Sequence, residues 1–218
     1  MQPARIAELL KPFLPASSSR PLTEKDLEHI SIYIDILLKW NARINLTAIR
    51  EEDEIVTRHF GESFFAAAQL FPAPADNSRK KNPSPTLADV GSGAGFPGLP
   101  MKLWAREISL TLIESNQKKA TFVREVTRAL TLTDVDIQNA RAEDVQTKFD
   151  FVTLRAVERF EDILPIAGGL LAASGRIVLL ISASQVSRAV SALQLNWQSP
   201  VPVPRSKSRV LVIGERGI

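Results

Sequence analysis

The chain has no cysteine among its 218 residues and only two histidines. The first absence excludes disulfides, thiolate metal centres and any reaction that needs a cysteine nucleophile, and the second leaves a structural zinc site nothing to build on, so no metal is expected. No run of residues approaches the roughly 18 consecutive apolar positions a spanning helix needs. The opening MQPARIAELLKPFLP reads as a short amphipathic helix rather than a signal peptide, so a cytoplasmic protein with no membrane partner is expected. Internal repeats and low-complexity tracts are also missing. Charge of one sign is scarce too: the net charge is +3, which permits a polyanionic partner without demanding one. Its distribution is uneven. Residues 1–86 carry 11 basic and 11 acidic groups, residues 87–218 carry 16 and 13, and the last 22 residues hold Arg205, Lys207, Arg209 and Arg216 against Glu215 alone.

A hydrophobic content of 44% and this length suit one α/β core with room for a small extra element. Leu22–Trp40 has a cap at Thr23 and apolar residues at Leu27, Ile30, Ile34, Leu37 and Leu38, which is helical spacing. A second helix is predicted from Glu51 to about Leu70. Residues 72–86, rich in proline and polar groups, read as a linker between an N-terminal helical element (1–71) and the main domain (87–218). From Leu87 onward strands are predicted near 87–90, 108–113, 134–138, 150–154 and 176–181, with helices near 97–106, 116–130, 158–173 and 184–193. Trp197–Val203 and Arg209–Gly214 read as a closing antiparallel hairpin. Five parallel strands and a terminal hairpin make a mostly parallel, seven-stranded, Rossmann-like sheet, the arrangement of class I S-adenosylmethionine-dependent methyltransferases; a dinucleotide domain more naturally ends on another parallel crossover.

The run LADVGSGAGFPGLP at 87–100 carries the chemistry. A short apolar strand delivers Asp89 into a turn where Gly91, Gly93 and Gly95 allow dihedrals closed to other residues and let a ligand approach the backbone, and Pro97 suits the first turn of the following helix. Gly93, Gly95 and Gly98 also satisfy the dinucleotide pattern, so the glycines alone do not choose between cofactors. Asp89 at the mouth of the loop would repel a pyrophosphate and attract the ammonium and sulfonium of S-adenosylmethionine, which favours the methyl donor. Glu114, at the end of the next strand, is placed to accept hydrogen bonds from ribose hydroxyls with either cofactor.

Further segments join this one. LLKWNARINLTAI (37–49), RHFGES (58–63), DVGSGAGFPGLP (89–100), LIESNQKK (112–119), RAEDV (141–145), LRAV (154–157) and SRVLVI (208–213) together make the chain resemble the bacterial glucose-inhibited division protein B family, the ribosomal RNA small subunit methyltransferases G, over most of its length. The resemblance implies methyl transfer from S-adenosylmethionine to nitrogen 7 of one guanine of 16S ribosomal RNA, and the low net charge of +3 favours a shaped substrate such as the 30S subunit over free RNA. It implies that Gly91, Gly93 and Phe96 belong to the cofactor loop, that Glu114 is the ribose acceptor, and that Ala142 and Glu143 meet the adenine. It puts Arg155 next to the cofactor, makes Arg155 and Arg209 the candidate catalytic residues, and turns Lys118, Arg141 and Arg209 toward cofactor or RNA. His59, Glu62 and Ser63 resemble a His-x-x-Asp-Ser motif that anchors the loop. The chain departs from the family's pattern at Glu62, where aspartate is usual, at Ala94, where proline is frequent, and at Ile181, where related enzymes can carry a lysine.

The residues agree with an undemanding nucleophile. Guanine N7 has a free lone pair, so its methylation needs positioning and no base. The fourth strand leads into FDFVTLRAV rather than the Asn/Asp-Pro-Pro-aromatic motif of exocyclic amine methyltransferases. Arg155 follows an apolar strand at the edge where open α/β sheets bind ligands, although a surface salt bridge explains such a residue equally well. A small-molecule methyltransferase, an NAD-dependent oxidoreductase and a cofactor-binding RNA module without turnover remain the alternatives.

Overall fold

In the computed structural model, which describes residues 1–15, 21–72, 84–156 and 159–217, the chain forms a three-layer α/β/α sandwich. The N-terminal part contributes α1 (Pro3–Leu10), α2 (Glu24–Asn41), a short α3 (Glu52–Glu54) and α4 (Glu62–Leu70). Helix α2 starts where its sequence says it should: Thr23 Oγ1 accepts from the Asp26 N–H and Asp26 returns the bond to the Thr23 N–H, satisfying two otherwise orphaned donors. The helix expected from Glu51 to Leu70 is helical throughout, but Ile55–Gly61 between α3 and α4 is π-helical. Such wide turns mark functional positions more often than structural ones.

The sheet is built from β1 (Thr86–Val90), β2 (Ser109–Ile113), β3 (Val135–Gln138), β4 (Phe149–Arg155), β5 (Leu171–Ser182), β6 (Asn196–Trp197), β7 (Val201–Pro202) and β8 (Arg209–Glu215). Its order is β3-β2-β1-β4-β5-β8-β6, with β7 also on β8; β1 to β5 pair in parallel, and the pairs made by β8 are antiparallel. The expected seven strands are therefore eight, because the first arm of the closing hairpin breaks at Gln198–Pro200, where Pro200 has no N–H to give a ladder. Between them lie α5 (Gly98–Trp104), α6 (Gln117–Ala129), α7 (Phe160–Gly169) and α8 (Val186–Ala192). The helix predicted over 158–173 overran its end: α7 stops at Gly169 and Leu171 already pairs with Phe149. An apolar run such as Leu170–Ala173 suits either element, and only its partner decides. The linker expected over 72–86 falls mostly on residues 73–83, outside the described residues.

Strand alternation divides the interior. Leu87, Leu110, Leu112, Val178, Leu180, Leu211 and Ile213 face a core shared with α1, α2, α4, α5 and α6, whereas Ala88, Val90, Ile113, Leu154, Leu179 and Val212 face the α7–α8 side. The N-terminal helices thus form one covering layer of the sheet, continuous with its core, and bring the π-helical turn to the carboxyl ends of the strands. Among the described residues no helix is long and apolar enough to cross a membrane.

Candidate functional site

Two cavities open at the carboxyl ends of the parallel strands, where ligands bind in folds of this kind. The larger, about 640 Å³, lies over β1, β2 and β3 and is lined by Gly91, Ser115, Asn116, Arg141, Ala142 and Glu143, among others. The smaller, about 330 Å³, lies over β4, β5 and β8 and is lined by Arg58, Leu154, Arg155, Ile181, Gln185 and Arg209, among others. Helix α7 separates them, with Ile163 facing the first and Phe160 the second.

The glycine turn forms one edge of the larger cleft. Gly91, Gly93 and Gly95 all take positive φ, at 67°, 54° and 81°. Glu114 fixes the turn to the end of β2: one carboxylate oxygen accepts from the Gly93 N–H at 2.8 Å and the other from the Asn116 N–H at 2.7 Å. Each oxygen keeps a lone pair for a further donor. Asn139 ties β3 to the same place by donating to the Glu114 and Ser115 carbonyls. Ser92 Oγ, inside the turn, is buried and has no hydrogen-bond partner among the described residues. A bare glycine backbone, an acid beside it, a backbone wall at Ala142 and room for several hundred cubic ångströms fit an adenosyl cofactor.

Four expected placements need correction. Asp89 is buried beneath the loop and does not line either cavity: its carboxylate accepts from the Gly98 N–H at 3.0 Å and from Thr153 Oγ1 at 2.9 Å. It holds the start of α5 to β4, and a Cβ on Gly98 would come within 2.8 Å of it. The electrostatic argument that chose S-adenosylmethionine over NAD therefore loses its residue. Phe96 does not face the cofactor cleft; its ring is stacked between His59, 4.7 Å away, and Tyr33, 5.1 Å away. Arg155 lines the smaller cavity, not the cofactor cleft. Lys118 is exposed on the first turn of α6 and lines neither. Arg141, expected to face cofactor or RNA, lines the larger cleft with Ala142 and Glu143.

The smaller cavity is organised by one carboxylate. Glu62 Oε2 accepts from Arg155 Nη2 at 3.1 Å and from Arg209 Nη1 at 2.7 Å, so residues of α4, β4 and β8 converge on it. Arg155 also donates to the Arg58 carbonyl at 2.6 Å and, through Nη1, to His59 Nδ1 at 3.1 Å; with Nε on Glu62, one Nη1 hydrogen is left uncommitted. A guanidinium has no acceptor, so His59 Nδ1 must be unprotonated, and Nε2–H then donates to Thr47 Oγ1 at 2.9 Å. Burial, together with Arg155, Arg209 and Arg58, holds the His59 pKa well below its usual range, in keeping with a neutral ring. Thr47 is positioned by Asn41, which caps the turn after α2 through the Leu46 and Thr47 N–H groups. Ser63 Oγ donates to the His59 carbonyl inside the helix. His59 thus joins the arginine of one cavity to Phe96 in the loop of the other. Tyr33, overlooked in the sequence, extends the stack and donates to the Ala94 carbonyl from within the core. Arg58 and the Ser182–Gln185 capping box were also overlooked; the S-x-x-Q spacing of the latter is a readable helix start.

Burial pushes the Asp89 carboxyl up to about 7, against the opposing pull of the Gly98 N–H, Thr153 and Arg155. A raised folded pKa gives stability that is complete below the ordinary value of 3.8 and is lost as pH rises through about 7. Wild-type stability measured by denaturant unfolding should therefore fall relative to Asp89→Asn between pH 4 and 7, by up to roughly 1.4 kcal/mol per unit. A pH-independent difference between the two proteins would show that Asp89 is ionised throughout.

The comparisons agree with this geometry. Residues 26–210 match the family model for rRNA small subunit methyltransferase G. A ribosomal RNA small subunit methyltransferase G from Roseiflexus sp. (strain RS-1) is 37% identical over 210 residues, covering 88% of this chain and 84% of the relative. That of Chloroflexus aggregans is 36% identical over 207 residues, covering 88% and 83%. Among solved structures, a ribosomal protein L11 methylase from Lactobacillus delbrueckii subsp. bulgaricus superposes with a TM-score of 0.56 at 19% identity, over 73% of this chain and 79% of that one. A SAM dependent methyltransferase from Aquifex aeolicus gives 0.52 at 14%, over 62% and 83%. At such identities the structures establish the fold alone, that of class I methyltransferases.

Proposed function

The chain belongs to the rRNA small subunit methyltransferase G family and methylates small-subunit ribosomal RNA, and we propose that it does so on nitrogen 7 of one guanine of 16S RNA, using S-adenosylmethionine. The observation that carries the finer reading is the pair of cavities on either side of α7: one fits an adenosyl cofactor, the other is a basic recess of about 330 Å³, roomy enough for a single base. In the first, the Gly91 backbone meets the methionine portion, Glu114 accepts from the ribose hydroxyls, and Ala142 and Glu143 border the adenine. When bound, S-adenosylmethionine supplies an electrophilic methyl on sulfonium, whose transfer breaks the C–S bond, leaves the electron pair on sulfur and moves the positive charge to the guanine.

In the second cavity, the uncommitted Nη1 hydrogen of Arg155 and the three-quarters-buried guanidinium of Arg209 donate to the guanine O6 and leave the N7 lone pair free. Glu62 holds both arginines in place and offsets their charge. His59 is a positioning residue, since the reaction removes no proton from N7 before attack and the neutral ring is already committed on both nitrogens. Ile181 gives this recess an apolar wall where relatives can carry a lysine, and Arg58 and Arg209 supply the positive charge. A ribosomal RNA substrate supports a cytoplasmic location. A net charge of only +3 favours a shaped substrate, the 30S particle, over arbitrary RNA.

The test is incubation with tritiated S-adenosylmethionine and 30S subunits from a strain lacking the homologue, followed by mapping of any alkaline-cleavable guanine. One labelled guanine in 16S RNA is expected. Labelling of a small molecule instead, or cofactor binding with no label on 30S subunits, would overturn the proposal.

A further inference from the structure

The two flanks of the basic recess differ in charge. On the α7–α8 flank the arginines are paired: Arg159 with Asp162 at 2.7 Å and Arg188 with Glu161 at 2.8 Å. On the opposite flank a third, smaller cavity of about 140 Å³ is lined by Phe13, Thr57, Arg58, Glu62, Pro204 and Arg205. It shares Arg58 with the recess, so the two cavities adjoin at that side chain. Its carboxylate, Glu62, is buried and already committed to Arg155 and Arg209. Arg58 is half-exposed and paired with an equally exposed Glu54, a bond worth little in water and readily exchanged.

Arg205 is exposed, and among the described residues its side chain has no hydrogen-bonding or ionic partner. Its backbone is left-handed, with φ 59°, in a turn closed by bonds from the Val203 N–H to the Arg209 carbonyl and from the Ser206 N–H to the Val203 carbonyl. Glycine or asparagine would hold that conformation with less strain. Lys207 is exposed in the same turn. Among the described residues no side-chain hydrogen bond or ion pair of Arg205 offsets the cost of placing an arginine there, beside the cavity that adjoins the base recess.

We propose that Arg58 and Arg205 form a track for the phosphates of the RNA strand flanking the target nucleotide, so that the strand leaves the recess over the π-helical turn and the β7–β8 turn. The N-terminal helices are then one wall of the RNA interface as well as a layer of the core. The inference rests on the RNA-methylating function above and adds the path of the strand. Direct phosphate contacts release counterions, and each one lost flattens the salt dependence of binding by about one unit in the log–log slope.

The test measures binding of the full chain to 30S subunits from the deficient strain between 50 and 300 mM KCl (about the range over which such slopes are resolved). Wild type is compared with Arg58→Gln, Arg205→Gln and Arg188→Gln. Shallower slopes by about one unit are expected for the first two, a wild-type slope for Arg188→Gln, and unchanged affinity of the free protein for S-adenosylmethionine in all. Arg205 is on an exposed turn, so its variant stands even where Arg58→Gln alters the fold. A wild-type slope in Arg205→Gln, with one guanine still labelled by the wild-type protein, overturns the track and leaves the methylation reading intact. Failure of the wild type to label a guanine, with the slopes still separated, overturns that reading and leaves a phosphate track.

Discussion

Replacing Glu62 by alanine should destabilise the protein by about 3–5 kcal/mol, the cost of stranding buried charge. Arg155 and Glu62 are both almost wholly buried, and Arg209 is three-quarters buried against the same oxygen. Without the carboxylate, the two guanidiniums of Arg155 and Arg209 face one another with no counterion, since the nearby Glu54 is paired with Arg58. His59 cannot compensate, because its neutral ring is already an acceptor for Arg155 and protonation would add to the repulsion. In a domain of this size the loss corresponds to a fall in Tm of roughly 10 °C. Glu62→Asp keeps the charge on a shorter arm and should lose less than half as much, while Glu62→Gln, of equal size but uncharged, should behave like alanine. Thermal and urea unfolding of the three variants checks this. Equal stability of Gln and wild type would mean that the arginines are compensated by something other than Glu62.

The second large effect is expected at Gly95. An added Cβ would lie 2.5 Å from Tyr33 Oη and 2.8 Å from Leu99 Cδ1, at a φ of 81°. Neither neighbour can yield: Tyr33 is fully buried, stacked on Phe96 and bonded to the Ala94 carbonyl, and Leu99 is fixed in α5. Gly95→Ala should therefore cost about 2–4 kcal/mol in stability, from strain and overpacking together, and weaken S-adenosylmethionine by on the order of 100-fold, since the displaced loop no longer presents its backbone. Gly93 provides the control. Its φ is also positive, but the nearest atom to an added Cβ is 3.7 Å away, so Gly93→Ala pays conformational strain alone, about 1–2 kcal/mol. Calorimetric titration with the cofactor and denaturant unfolding separate the two. Similar losses in both would show that dihedral preference, and not Tyr33, sets the shape of the loop.

The strand–turn–helix around Gly91 was legible because its signals are local: a short apolar strand, glycines where φ must be positive, and an acid on the following strand. Asp89 shows how a local signal is misread. Being two residues after Leu87, it shares that residue's face of β1, which is turned to the helix layer; strict alternation placed it beneath the loop from the start. Phe96 was identified with the loop correctly, but its stacking partners His59 and Tyr33 come from helices far earlier in the chain, and no spacing in one sequence reports such a contact. The same holds for Arg155 and Glu62, joined across 93 positions. The RHFGES segment announced a helix face, whereas the π-helical turn that sets its final orientation has no compositional signature that separates it from an α-helix. The end of α7 was lost to an apolar run whose strand partner, Phe149, is fixed by tertiary structure.

The Tyr33–Phe96–His59 stack has a consequence for how the protein is made. On the ribosome the N-terminal helices emerge first, carrying Ile30, Ile34, Phe60 and Phe64, all wholly covered in the finished fold, before the strands that cover them exist. The glycine turn, emerging later, finds its aromatic supports already synthesised but not yet docked. A nascent chain halted before β8 also lacks Arg209, leaving Glu62 with one of its two arginines. Such a fragment already carries every residue that braces the glycine turn, Tyr33, His59, Asp89 and Glu114, so the loop is complete in sequence before the basic recess is.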